Sequence, residues 1–76
     1  MEKEIFEMLT EEFPDIDFTA SETMAEDGML DSLTMAGIIT LLSVKYDISI
    51  SGDDLSEENF NSIPAMVNMV NRLRGK

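Results

Sequence analysis

The segment from residue 32 to residue 46 constrains the fold more than any other part of this 76-residue chain. It is apolar on every side, and Lys45 is its only charged residue. The pattern predicts a helix, although Gly37 weakens it by about 1 kcal/mol relative to alanine. A helix that is apolar all round requires burial all round. In a domain this small, either the other helices wrap it, or one flank is an exposed apolar patch that binds a partner.

Two amphipathic helices are predicted on either side of that segment. In residues 2–13, apolar positions recur at helical spacing among glutamates. Pro14 ends this helix, because the residue before a proline disfavours the α conformation. The last helix begins with a cap on Asn61 or Ser62, and Pro64 falls in its first turn, where a missing N–H costs nothing. Basic side chains suit the dipole at its C-terminal end; they are Arg72, Arg74 and Lys76.

A long loop is predicted over residues 14–31. It is rich in acidic residues, and five apolar side chains are spaced as anchors to the core: Ile16, Phe18, Met24, Met29 and Leu30. Loops of this length without their own structure are uncommon and are often functional. One short turn of helix is expected around Ser21–Met24.

A second connection covers residues 47–55 and is followed by a single capped turn at residues 56–60. Leu55 and Phe60 are expected to point inward from this turn. The prediction is therefore an all-α protein with one domain spanning residues 1–76. It is a small four-helix bundle of three longer helices and one short helix, with a long loop between the first two.

Composition excludes several classes of function. The formal net charge of −11 argues against nucleic acid and anionic membranes as partners. The chain has no cysteine and no histidine, so it lacks thiolate metal ligands and the usual zinc ligand. No stretch approaches the roughly 18 apolar residues of a membrane span, and the N-terminus does not resemble a signal peptide. These features predict a monomeric, cytoplasmic protein without a bound metal.

The high negative charge also implies repulsion within the folded chain. Counterions screen that repulsion, so added salt or divalent cations are expected to raise the melting temperature. Thermal melts at low and at moderate ionic strength measure this effect. A melting temperature that does not change with salt would contradict the prediction.

Catalysis by the chain is not expected. Ser32 has no histidine to accept its proton, and Lys45, the nearest basic residue, lies more than three helical turns away. Two acidic loops partly match a calcium-binding pattern. The first has alanine where the calcium loop requires glycine, and the second places Ser49, Ser51 and Leu55 at ligand positions. Neither is predicted to bind calcium specifically.

The stretch Asp27–Leu33 opens the apolar segment and places Ser32 at the start of the predicted helix. A serine at a helix start is ordinarily a cap. Here Gly28 permits a tight approach of the chain, and the apolar residues on both sides of Ser32 anchor it. The sequence Gly28–Leu33 resembles the attachment motif of the acyl carrier protein family. The resemblance extends over nearly the whole chain, in length, acidity, the long first loop and the helix pattern.

The resemblance implies that Ser32 carries a 4'-phosphopantetheine arm, derived from coenzyme A, through a phosphodiester. It also implies that Asp31 contributes to recognition by the modifying phosphopantetheinyl transferase, a magnesium-dependent enzyme. Gly28 and Leu33 complete the attachment site in this interpretation. The second helix would be the surface recognised by loading and transfer enzymes, with contacts from Leu30, Thr34, Met35 and Ile38. The family fold has four helices, of which the third is short.

The sequence departs from the fatty-acid type of carrier at the second helix. That type has acidic residues along this helix, whereas this chain has Thr34, Gly37, Ser43 and Val44 there. The Gly28-Met29-Leu30 lead-in and the run Asn59–Pro64 resemble stand-alone D-alanyl and aminoacyl carrier proteins. A discrete carrier for a specialised pathway is therefore favoured, and a housekeeping fatty-acid carrier is the alternative.

A helical interaction module that never carries an arm is the alternative of a different class. Such a protein would use the apolar second helix to bind a partner, and Ser32 would be dispensable. The methionines also allow two interpretations. Ordinary core packing is favoured, and opening to shelter an acyl chain is the alternative; the residues concerned are Met24, Met29, Met35 and Met66.

Overall fold

The computed structural model describes residues 1–75. These residues contain three α-helices, α1 (Glu2–Glu12), α2 (Ser32–Tyr46) and α3 (Ile63–Arg74), and two isolated 3₁₀ turns at Gly52–Asp54 and Glu57–Asn59. No strand occurs within this range, so the predicted all-α class is confirmed. A fourth helix is not confirmed, because residues 56–60 make only one 3₁₀ turn. Lys76, one of the predicted terminal cations, lies outside the described residues.

Helix α1 runs antiparallel to α2. Near one end the Glu4 carboxylate lies 3.9 Å from Lys45 Nζ, and at the other end the Phe13 ring rests on Gly37. A Cβ atom added to Gly37 would lie 2.7 Å from Phe13 Cζ. The glycine that weakens α2 is therefore also the point where a ring from the end of α1 approaches its backbone. The helix stops one residue before Phe13, as the following proline predicts.

The core is built from all three helices and from the two connections. Its buried apolar side chains are Ile5, Leu9, Phe18, Met24, Leu30, Ile38, Leu42, Phe60, Ile63, Met66, Met69 and Val70. Phe60 points inward as predicted. The inward position predicted for Leu55 is wrong, because its side chain is 47% exposed. Asn59 and Phe60 occupy the inward positions of this connection, and Leu55 lies between the two turns facing solvent.

The apolar helix α2 is only partly covered. Ile38 and Leu42 are buried, whereas Leu33 is 84% exposed and Val44 is 77% exposed. Leu33, Ala36, Thr40 and Val44 are all exposed and recur every three or four residues, so they share one face. We refer to these four residues as the α2 stripe. The partly exposed arrangement, and not the fully wrapped one, is the arrangement found.

The second connection is fastened to α3 by a buried amide. Asn59 Nδ2 donates to the Asp54 carbonyl oxygen, and Arg72 Nη2 donates to Asn59 Oδ1, both at 2.9 Å. Asn59 is only 8% exposed, so these bonds satisfy polar atoms that water does not reach freely.

Among the described residues, no helix has the length and apolarity that crossing a membrane requires.

Candidate functional site

Ser32 is the first residue of α2, and Asp31 is the cap. Asp31 Oδ1 accepts a hydrogen bond from the Thr34 backbone N–H at 2.7 Å. The capping role that a serine ordinarily fills at a helix start therefore belongs to its neighbour. Ser32 is exposed, and within residues 1–75 its hydroxyl has no hydrogen-bond partner. The hydroxyl is accessible at the positive end of a helix, where an attached anion is favoured.

The electrostatics of the cap follow from these hydrogen bonds. The Thr34 backbone N–H, followed by the Thr34 hydroxyl, lowers the pKa of Asp31 below its ordinary value of 3.8. Asp27 in the preceding turn behaves similarly. Its Oδ2 accepts from the Ser21 and Thr23 hydroxyls at 2.8 Å each, and these bonds lower its pKa. Both carboxylates are negatively charged at neutral pH.

A lowered pKa makes the helix cap sensitive to acid. Because the folded-state pKa of Asp31 lies below its unfolded value, its contribution to stability is complete above pH 3.8 and is lost as the pH falls through the folded-state pKa. We expect the stability difference between the wild type and Asp31→Asn to shrink over that range. The asparagine keeps an acceptor oxygen without the charge. Thermal melts of both proteins between pH 6 and pH 2, at fixed ionic strength, measure this difference in stability. A difference that does not change with pH would contradict the assignment of the charged Asp31 carboxylate as the cap.

One turn precedes the motif, but it spans Met24–Gly28 and not the predicted Ser21–Met24. The Met29 N–H donates to the Met24 carbonyl at 3.0 Å, and the Gly28 N–H donates to the Ala25 carbonyl at 3.3 Å. This pair of bonds is a Schellman closure, which requires a left-handed residue. Gly28 supplies it with a φ of 78°. The glycine of the motif therefore ends a turn and redirects the chain toward Ser32.

Asn61 holds this turn against the start of α3, a role that the sequence analysis missed. Its Oδ1 accepts from the backbone N–H groups of Ala25 at 3.1 Å and Glu26 at 3.0 Å. Its carbonyl oxygen accepts from the Met24 N–H at 2.9 Å. Of the two residues expected to cap α3, Ser62 does so, through the Ala65 N–H. A polar residue between the apolar Phe60 and Ile63 was the only available signal.

The predicted site residues separate into three groups by exposure. Ser32, Asp31 and Leu33 are exposed and adjacent, and Thr34 and Met35 are half-buried beside them. Leu30 and Ile38 were expected to contact partners, but their side chains are 7% and 0% exposed. That expectation does not agree with the structure, because both side chains are buried in the core. Leu30 instead anchors the backbone two residues before Ser32.

A groove of about 560 Å³ lies between the first half of the long loop and the N-terminal ends of α1 and α3. Phe6, Phe18 and Ile63 supply much of its apolar lining. Neither Ser32 nor any methionine lines it. Met24 and Met66 are fully buried in the core, and Met29 and Met35 pack partly buried against it. The groove is therefore separate from the methionines considered as shelter for an acyl chain.

Comparison with known proteins finds no relative. No protein-family model, no curated protein and no solved structure matches the chain. Function is therefore inferred from the motif residues and from the geometry at the start of α2.

Proposed function

We propose that this chain is a carrier protein. It holds an acyl or aminoacyl group as a thioester on a 4'-phosphopantetheine arm attached to Ser32. The observation that carries the proposal is the exposed Ser32 hydroxyl on the first residue of α2, released from capping by Asp31. The resemblance of Gly28–Leu33 to a carrier attachment motif supports the same serine.

The residues around Ser32 fit the attached group. The Ser32 hydroxyl oxygen would attack the pyrophosphate of coenzyme A, so that its new O–P bond forms as the pyrophosphate P–O bond breaks and adenosine 3',5'-bisphosphate leaves. The hydroxyl proton would pass to a base of the transferase, and the helix N-terminus favours the negative charge of the resulting phosphodiester. The cofactor supplies a terminal thiol, which forms the thioester with the cargo. Asp31 places a further negative charge beside the phosphate, and its role as the helix cap gives a structural reason for that charge. Leu30 in the core fixes the approach of the backbone.

The α2 stripe is the surface offered to partner enzymes. Leu33 lies next to Ser32 and Val44 lies near the far end of the helix, and both are largely exposed. These partners comprise the phosphopantetheinyl transferase, the enzymes that load the cargo and the enzymes that remove it. The stripe has no acidic residue, which favours a specialised acyl or aminoacyl pathway over fatty-acid synthesis.

Intact mass spectrometry tests the proposal. The purified chain is incubated with a broad-specificity phosphopantetheinyl transferase, magnesium and coenzyme A. A gain of one phosphopantetheine, located on Ser32 by fragmentation, supports the carrier assignment. A folded wild-type chain that gains no mass would refute it. The exposed Leu33 and Val44 then favour the second candidate, an unmodified module that binds a protein partner through α2.

Loading separates the two kinds of carrier. The modified protein is offered to a malonyl transferase of fatty-acid synthesis, with an acidic fatty-acid carrier as the positive control. A specialised carrier is expected to load poorly, because α2 lacks the acidic residues of the fatty-acid type. Efficient loading would overturn the specialised assignment in favour of a fatty-acid carrier.

A further inference from the structure

We infer that Asn61 is a positioning residue for modification at Ser32. The two residues are far apart in sequence, and within residues 1–75 no hydrogen bond joins them. Asn61 acts through the turn at residues 24–28, which leads into the motif. The inference rests on the proposed function, because its main readout is the rate at which Ser32 is modified.

The long loop is attached through Asn61 to the segment that leads into α3. Three hydrogen bonds join residues 24–26 to Asn61, two to its side-chain oxygen and one to its carbonyl. Within residues 1–75, the remaining hydrogen bonds of the loop stay inside it or connect it to the adjoining ends of α1 and α2. Among the described residues, Asn61, which lies two residues before α3, therefore supplies every hydrogen bond between the loop and the segment that leads into α3.

The Asn61 side chain is buried where water does not readily replace it. Asn61 is only 9% exposed. Its Oδ1 accepts from two successive N–H groups at the beginning of the turn, as a capping side chain does at a helix start. Loss of the acceptor leaves the N–H groups of Ala25 and Glu26 without their partner in a part-buried position. Buried donors without acceptors are costly, so the turn is expected to open or shift.

The turn at residues 24–28 lies close to Ser32 along the chain. Gly28 closes the turn in the left-handed conformation, and only three residues separate it from Ser32. Of those three, Leu30 is buried and Asp31 caps α2. A displacement of the turn is therefore transmitted to the backbone on the N-terminal side of Ser32. The Ser32 hydroxyl is the nucleophile in the transfer, so the transferase acts only on the fraction of molecules that present this hydroxyl in the reactive geometry.

The test compares three variants. Asn61→Ala removes the acceptor, and Asn61→Asp keeps an acceptor oxygen on a side chain of the same length. Asn68→Ala is the control, because Asn68 is an exposed residue of α3. Transferase kcat/KM is measured at a temperature where every variant is folded. We expect Asn61→Ala to lower kcat/KM about tenfold, the scale of one lost hydrogen-bonded contact. Asn61→Asp is expected to recover most of the rate, and Asn68→Ala to match the wild type. Asn61→Ser, with a shorter acceptor, replaces the alanine variant if that does not fold.

Two results would overturn the inference. One is an unchanged kcat/KM in folded Asn61→Ala, and the other is a folded Asn61→Asp that is as slow as the alanine variant. Amide hydrogen exchange provides a readout independent of the transferase, because Ala25 and Glu26 should exchange faster in Asn61→Ala but not in Asn68→Ala. Failure of the wild type itself to be modified would refute the proposed function, and the exchange rates would still test the attachment of the turn.

Discussion

Replacement of Ser32 by alanine is expected to abolish phosphopantetheine incorporation and to leave the fold unchanged. The hydroxyl is the only group removed, and it is exposed and without a hydrogen-bond partner within the described residues. The cap on α2 belongs to Asp31, so the substitution does not uncap the helix. Alanine at the first helical position also has a high helix propensity. Intact mass after transferase treatment and a thermal melt measure the two halves of this prediction.

Ser49→Ala is the matched control for that substitution. Ser49 is another exposed serine, and it lies in the second connection, just beyond the end of α2 opposite to Ser32. Its variant is expected to gain the same mass as the wild type. Incorporation into Ser32→Ala at the wild-type level would show that the attachment site is elsewhere. A large fall in melting temperature would show that the hydroxyl has a structural role.

Truncation of Phe60 to alanine is expected to cause the largest loss of stability. The ring is 0% exposed, and Phe60 directly follows the 3₁₀ turn Glu57–Asn59, three residues before α3. A buried phenylalanine replaced by alanine typically costs about 3–5 kcal/mol. A domain of this length has a free energy of unfolding on the order of 4–11 kcal/mol, so a substantial share is lost. Urea denaturation, with the midpoint and the slope fitted separately, measures the change.

Leu55→Ala is the control for the loss of a large apolar side chain in the same connection. Leu55 is 47% exposed, so its truncation is expected to cost less than about 1 kcal/mol. Equal losses for the two variants would contradict the assignment of Phe60 to the core and Leu55 to the surface. A larger loss for Leu55→Ala would contradict it more strongly.

Local signals in the sequence were sufficient to predict the three helices. Pro14 ended the first helix within one residue, and Pro64 marked the first turn of the last one. The apolar segment predicted α2 but not its buried side, because a helix that is apolar all round has no preferred face. For that reason Ile38 was assigned to a partner surface, although it lies in the core.

The parts that sequence could not predict depend on competition or on long-range contacts. Asp31 and Ser32 are both good capping residues, and only the backbone geometry decides which of them caps α2. Asn61 bonds to residues about 35 positions away. Its position between apolar residues suggests a polar role but does not indicate which distant residues it contacts. The predicted short fourth helix is not confirmed, because residues 56–60 form a single 3₁₀ turn and no second turn follows it.

Because Asp31 and not Ser32 caps α2, the fold does not depend on the Ser32 hydroxyl. Asp31 caps the helix, whereas the hydroxyl of the neighbouring Ser32 makes no hydrogen bond within residues 1–75. A group can be added to or removed from the Ser32 hydroxyl without breaking a hydrogen bond among residues 1–75. If Ser32 carries the proposed arm, the unmodified protein, the protein with the arm and the protein with a loaded arm would thus present the same helix to successive enzymes. Discrimination among those forms would then depend on the appended group itself and not on a change in the protein's shape.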